Sequence, residues 1–311
     1  MDGQANGGRQ VSGSSVLFDA PGPRARVRNH LATAVTVLVV GAVLVFVGIE
    51  LWAKDQLTWA KWEPFVTPNV WENYIIPGIE GTLKAAALSI VLALILGVAL
   101  GVGRLSTHGW ISRPCAVFVE FFRAVPVLIM MIFAYFLYSR YNLIDSEYST
   151  LAGVVTGLTL YNGAVIAEIV RAGVNALPRG QSEAAWSLGM RWGQTMRSIL
   201  LPQAITSMLP VLISQLVVVL KDTALGVAIT YPELVSQGQN VGAAFTNYLP
   251  ALIVIAVLMI AVNFALSSFA VWLEARLRRS RRAPTPLDPE TIEQEGAPGA
   301  KVKVAEPGGS I

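Results

Sequence analysis

Five ionisable side chains, Lys84, Arg123, Glu168, Lys221 and Asp222, stand within or at the edge of otherwise apolar stretches. An ion at the centre of a membrane-spanning helix costs about 2.5–3.5 kcal/mol on insertion scales, so each needs a partner, a way to water or a use. Lys84 lies a few turns into one stretch and Lys221 near the end of another, where a long side chain can carry its ammonium to the interface. Glu168 and Arg171 are three residues apart, so one helix face can pair them. Whatever remains unpaired is available to a charged solute. Other chemistry is sparse. Cys115 stands alone, which excludes an internal disulfide framework and a cysteine metal cluster. His30 and His108 are far apart and make no metal site, no Ser-His-Asp arrangement is legible, and no G-x-x-x-x-G-K-[ST] phosphate loop occurs.

The elements that must position these charges are helices in a bilayer. Hydrophobic residues make up 54% of the 311, charged residues only 14%, and the mean hydropathy is +0.56. A spanning helix needs about 20 mainly apolar residues. Stretches of that length lie at 31–53, 75–103, 115–138, 151–173, 203–221 and 249–273. They do not alternate as barrel strands would, and a helix satisfies its own backbone hydrogen bonds in lipid. The expected fold class is an all-α integral membrane protein with about six spans. Pro126, inside the third, removes a backbone donor and predicts a kink. Gly97 and Gly101 on the second form a small-x-x-x-small pair that allows another helix to come close.

Lys and Arg placement sets the orientation. Arg24, Arg26 and Arg28, then Arg104 and Arg113, then Arg179, Arg191 and Arg197, and lastly Arg276, Arg278, Arg279, Arg281 and Arg282 all fall on one side of six spans. This predicts a multi-pass protein with both termini in the cytoplasm. The net charge of +3 is therefore a topology signal that also favours anionic membrane lipid; it does not point to nucleic acid. Residues 1–30 and 280–311, rich in Gly, Pro, Ser and acids, read as mobile tails. The first apolar run is long and lacks a small-residue cleavage site, so it reads as a retained anchor. Trp52, Trp59, Trp62 and Trp71, around the first outer loop, fit an interfacial aromatic belt.

Between the fourth and fifth spans lies a short polar interval. Ala184, Ala185 and Leu188 sit at near-helical spacing and are read as one compact apolar face, with Glu183 in the first turn, where a negative charge suits the helix dipole. Gly189 can take the left-handed conformation that ends a helix. A second short helix is then expected to reach Ile199, with Pro202 opening the next span. A helix of two or three turns is marginal in water, so this one must draw stability from a partner.

The spacing Glu183-Ala184-Ala185, Gly189, Ile199, Leu201-Pro202 resembles the EAA---G---------I-LP pattern of ABC importer permeases. Over 75–275 the chain resembles the polar amino acid family of these permeases. Gly81-Thr82-Leu83 with Ala86-Ala87-Leu88-Ser89, Glu120-Phe121-Phe122-Arg123-Ala124-Val125-Pro126 and Ala167-Glu168-Ile169-Val170-Arg171-Ala172-Gly173 carry the likeness. It continues through Gly180-Gln181-Ser182-Glu183-Ala184-Ala185, Leu201-Pro202-Gln203-Ala204 and Lys221-Asp222-Thr223-Ala224-Leu225. The chain departs at Ala124-Val125, where family members often have Gly-Thr, and at Ala224, where they have Ser. Within the family the likeness is to actinobacterial glutamate-uptake permeases, to which Val16–Arg24 and Val119–Arg123 contribute.

The resemblance implies a type I importer permease fold in a bacterial plasma membrane, at 75–275, with 31–53 as an extra N-terminal helix. It implies coupling through Glu183, Ala184, Ala185, Leu188 and Gly189 to an ABC ATPase dimer. It further implies a second permease subunit, expected as a homologous different chain, and an extracytoplasmic amino-acid-binding protein. ATP and Mg²⁺ would sit on the ATPase; no cofactor is expected here, and the chain would not be an enzyme. With glutamate as solute, Arg123, Lys84 and Lys221 are the cations available to its carboxylates, and Glu168 or Asp222 to its ammonium. The alternative of another class is an ion-coupled secondary transporter or channel, which predicts inverted repeats and broken midplane helices; no internal repeat is legible.

Overall fold

The computed structural model describes residues 22–279. The tail segments expected at 1–21 and 280–311, with Arg281 and Arg282, lie outside that range. Within it the chain forms two compact units, the described parts of Met1–Tyr74 with Gly238–Val254 and of Ile75–Gln237 with Ile255–Ile311.

The first unit begins with α1, Pro23–Ala53. It starts eight residues before the apolar run, so the expected tail over 1–30 gives way to helix from Pro23, whose fixed φ suits a first helical turn. No described residue of α1 is buried, and Leu38, Phe46 and Ile49 stand open around it. Such an apolar surface suits lipid. Short helices α2 (Trp59–Trp62) and α3 (Pro68–Val70) follow. The indoles of Trp62 and Trp71 donate to the carbonyls of Gln56 (3.2 Å) and Phe65 (2.8 Å), which gives the amphipathic rings their polar contacts. Lys61 Nζ donates to the Thr246 carbonyl at 2.7 Å, while Asn247 Nδ2 donates to the Lys61 carbonyl at 2.9 Å.

The second unit contains α4 (Ile76–Arg104), α5 (Gly109–Ala124), α6 (Val127–Tyr141), α7 (Ser149–Asn175), α8 (Arg179–Ser187), α9 (Trp192–Thr195) and α10 (Leu201–Asp222). α11 (Leu234–Ala244) and α12 (Tyr248–Arg279) are each shared between the units along the chain. α7 is the hub, packed on α4, α5, α6 and α10. The Gly97/Gly101 pair serves α4 against α7: a methyl on Gly97 would lie 2.5 Å from Ile166, and one on Gly101 2.9 Å from the Ala167 carbonyl. Close backbone approach replaces the hydrophobic driving force that lipid cannot supply.

Among the described residues five helices are long and apolar enough to cross a membrane, and α5 with α6 makes a sixth if counted as one span. That third span differs from its expectation. It is not a kinked helix over 115–138 but two helices bent by 101°. Val125 (ψ 130°) and Pro126 (ψ 132°) are both extended, because proline pushes the residue before it out of the helical region as well as removing a donor.

Candidate functional site

At one end of the second unit, α8 and α9 sit on the feet of the spans. Val174 of α7, Met196 just before α10 and Ala204 of α10 form a buried cluster with Val102, Leu105, Leu177 and Leu200 around it. Ala185 is 1% exposed, so it faces inward. Glu183, Ala184 and Leu188 face out, Leu188 at 81% exposure and Trp186 at 57%. The single apolar face expected of Ala184, Ala185 and Leu188 is thus divided: residues four apart share a face, and Ala185 lies about 100° round from Ala184. Glu183 is in the second turn, not the first, because the helix begins at Arg179.

Gly189 has φ +74° and ends α8 as expected. Its N–H donates to Trp186 O at 2.9 Å, and that of Met190 to Ala185 O at 3.1 Å, which is the Schellman pattern. α9 opens with the Arg191 N–H donating to Gln194 Oε1 at 2.9 Å. A π-helical turn, Met196–Leu200, leads to Pro202 in the first turn of α10. The Gln203 amide donates to Gln181 Oε1 at 3.2 Å, tying α10 to α8. A cleft of about 420 Å³ lies behind α8, lined by Arg179, Ser182, Trp186, Trp192 and Thr195 among others.

The intramembrane charges do not converge. Glu168 accepts from Arg171 Nε (3.1 Å to Oε2) and from Arg104 Nη1 (2.9 Å to Oε2), and Arg104 Nη2 reaches Glu120 Oε1 at 3.0 Å. The expected Glu168–Arg171 pair is present, embedded in a larger network that joins α4, α5 and α7. Sequence reading missed Arg104 and Glu120 as partners, since 64 and 48 residues separate them from Glu168 and Arg104 also served the orientation signal. Arg123 is exposed in the last turn of α5, where a cation suits the helix dipole. Lys84 is exposed and lines a cleft of about 310 Å³ with Glu80, Glu147, Tyr148 and Tyr231. Lys221 is exposed at the end of α10 and Asp222 half-buried beside it. Reasoning from charge alone also passed over Asn162, fully buried on α7, whose Oδ1 accepts from Gln215 Nε2 of α10 at 2.6 Å; the missed signal is two amides within apolar spans.

A helical membrane bundle with an outward-facing short helix between its fourth and fifth spans defines a transport permease. The chain belongs to the family of binding-protein-dependent transport system inner membrane components, whose family model matches residues 89–279. It is 52% identical over 228 residues to the glutamate transport system permease protein GluD of Corynebacterium glutamicum, covering 73% of this chain and 84% of that one. It is 33% identical over 210 residues to the probable glutamine ABC transporter permease protein GlnP of Bacillus subtilis, covering 67% and 93%. Among solved structures it is similar to the crystal structure of an amino acid ABC transporter with histidines, with a TM-score of 0.59 and 28% identity over 65% of this chain and 93% of that one. The all-α importer-permease fold class therefore stands. The chain is a multi-pass transport subunit and not an enzyme, and an ion-coupled transporter or channel is not favoured.

Proposed function

We propose that this chain is the permease subunit of an ATP-driven importer of L-glutamate, and that α8 passes the movement of a separate ABC ATPase dimer to the spanning helices. The outward face of α8 carries the reading. Glu183, Ala184 and Leu188 present an acid and two apolar groups to whatever docks there, while Ala185 is buried and α8 packs on α9 and on the Met196–Leu200 turn that leads into α10. A push on the outer face therefore reaches α10 through that turn and through the Gln181–Gln203 bond. ATP and Mg²⁺ are assigned to the ATPase. The likeness to the glutamate permease supports the solute, and Lys84, Lys221 and Arg123 are cations suited to its carboxylates. Of the acids, Asp222 is the better match for the ammonium, since both oxygens of Glu168 already face guanidinium groups.

Arg104, Arg113, Arg179, Arg191 and Arg197 lie around the α8 end and its connections, which supports that end, and both termini, as cytoplasmic. In a bacterial plasma membrane the complex would include a second, homologous permease chain and an extracytoplasmic amino-acid-binding protein. Affinity purification from native membranes tests this. A P-loop ATPase and labelled-glutamate uptake are expected with the native chain, and both are lost on Glu183→Lys. An intact protein that brings down no ATPase after gentle cross-linking would defeat the reading.

A further inference from the structure

α5 and α6 part at an angle of 101°, and α7 closes the back of the crook between them. The crook is a cavity of about 430 Å³, lined by Val125, Ile129, Phe133 and Leu137 along α6 and by Thr156 and Leu160 of α7. The hydroxyls of Tyr138 and Thr156, at its edge, satisfy each other at 2.8 Å. Nothing in it calls for water, and an apolar cavity of this kind stays dry or takes an apolar guest. A second concavity, of about 560 Å³, runs along α5 over Arg113, Pro114, Val117 and Phe118. Phe121 and Phe122 border both. Together they make one bent apolar trench with a guanidinium at its mouth.

That mouth suits a negative headgroup. Arg113 is exposed and makes no hydrogen bond or ion pair among the described residues. Glu120, seven residues further along α5, is taken by Arg104 at 3.0 Å. Trp110, one turn before Arg113, is 76% exposed, as an indole at the level of lipid headgroups is. From Arg113 to Phe121 is about 12 Å along the helix, and one leaflet's share of the hydrocarbon core is about 15 Å. A chain whose headgroup meets Arg113 therefore ends in the crook. The walls suit lipid better than protein. Where α4 and α7 touch closely, glycines make the seam, as helix association in a bilayer requires. Here the open residues are Val117, Phe121, Ile129 and Phe133.

We propose that the trench is a binding site for an anionic phospholipid, with the phosphate on Arg113 and the end of one acyl chain in the crook against Ile129 and Phe133. The lipid fills the angle that Pro126 opens between α5 and α6, where protein packing leaves a gap. Arg113 selects the headgroup by charge, and the phenylalanines hold the chain by many small contacts. Ser112 Oγ donates to the Arg104 carbonyl at 2.8 Å, which fixes the mouth of the trench at the α8 end of the unit. That this end faces the cytoplasmic leaflet rests on the importer reading; the site itself does not.

The test uses the full-length protein with its native partners, reconstituted in phosphatidylcholine vesicles. A trace of phosphatidylglycerol or of phosphatidylcholine carries a photoactivatable diazirine at the end of one acyl chain, and mass spectrometry reads the labelled peptides. Phosphatidylglycerol is expected to label residues 125–138 about tenfold more than phosphatidylcholine does, the ratio that one charge-assisted contact supplies. Arg113→Gln is expected to abolish that preference and Arg113→Lys to keep most of it; the position is exposed, so both variants should fold. Ile129→Trp, which fills the crook from an open position, should lower labelling there by both lipids and leave labelling of α12 unchanged. Equal labelling by the two lipids overturns the proposal, as does a preference that survives Arg113→Gln. Cross-linking of the crook to a companion permease in place of lipid overturns it too, since the trench would then be a seam between chains. Labelling needs neither ATP nor glutamate, so its failure is distinct from the absence of an ATPase partner.

Discussion

Glu168 and Glu233 show how far environment decides what a carboxylate does. Glu168 is the shared acceptor of Arg171 and Arg104, with Arg104 only 12% exposed. Removing it leaves two guanidiniums facing each other, so Glu168→Ala should lower stability by about 1–3 kcal/mol; thermal unfolding in detergent reads this, and an unaltered midpoint would mean the network is ornamental. Glu233, outside the spanning segments, is fully buried and caps α11 by accepting from the N–H groups of Val235 (2.8 Å) and Ser236 (2.6 Å). Burial outweighs those bonds and pushes its carboxyl from 4.5 up to about 7. Between these values the folded state keeps a proton that the unfolded chain has released, so its stabilising effect is complete below the lower value and lost as pH rises through the upper. Midpoints measured across that window should fall with pH in the native protein and flatten in Glu233→Gln. The i,i+3 spacing made Glu168–Arg171 legible in sequence, whereas nothing local to Glu233 announces that Tyr231, Thr82 and Gly81 close over the segment around it.

Among the elements, α8 depends on its termination. Gly189 at φ +74° reverses the chain and aims Leu188 outward. A β-branched side chain there adds roughly 1–2 kcal/mol of strain, so Gly189→Val should weaken ATPase co-purification while leaving the bundle's thermal midpoint nearly unchanged. Equal ATPase recovery from both proteins would show that the cap is not needed for docking. The helix, its glycine stop and Pro202 were all readable because capping is local. The division of its faces was not: the sequence marks Ala184 and Ala185 alike, and only the packing of α8 on α9 and the Met196–Leu200 turn selects Ala185 as the inward one. The same holds for Pro126, where the residue type announces a disturbance and neighbouring helices decide that it becomes a 101° break.

For the molecule as a whole, α1 stands apart in character. It carries an apolar surface on all sides and no buried described residue, so little of its surface is taken up in packing. Deleting residues 1–53 should leave the unfolding midpoint and the ATPase association of the remaining chain close to native; loss of folding would show that α1 is structural. Within the unit built on α7, the small-residue contact of α4 with α7 and the charge network at their feet join the helices.

Length of apolar run, helix stops and the spacing around Glu183 are properties of neighbouring residues, so the sequence by itself determined the membrane class, the stretches that span and the position of the outward helix, while the break of the third stretch was left to the fold. Partners remote in the chain were decided only by tertiary structure: Arg104 with Glu168, Asn162 with Gln215, and the side of α10 left open. The reason is that a side chain's role in a bilayer depends on whether its face meets helix, lipid or water. Periodicity reveals that a face exists; packing alone decides what covers it.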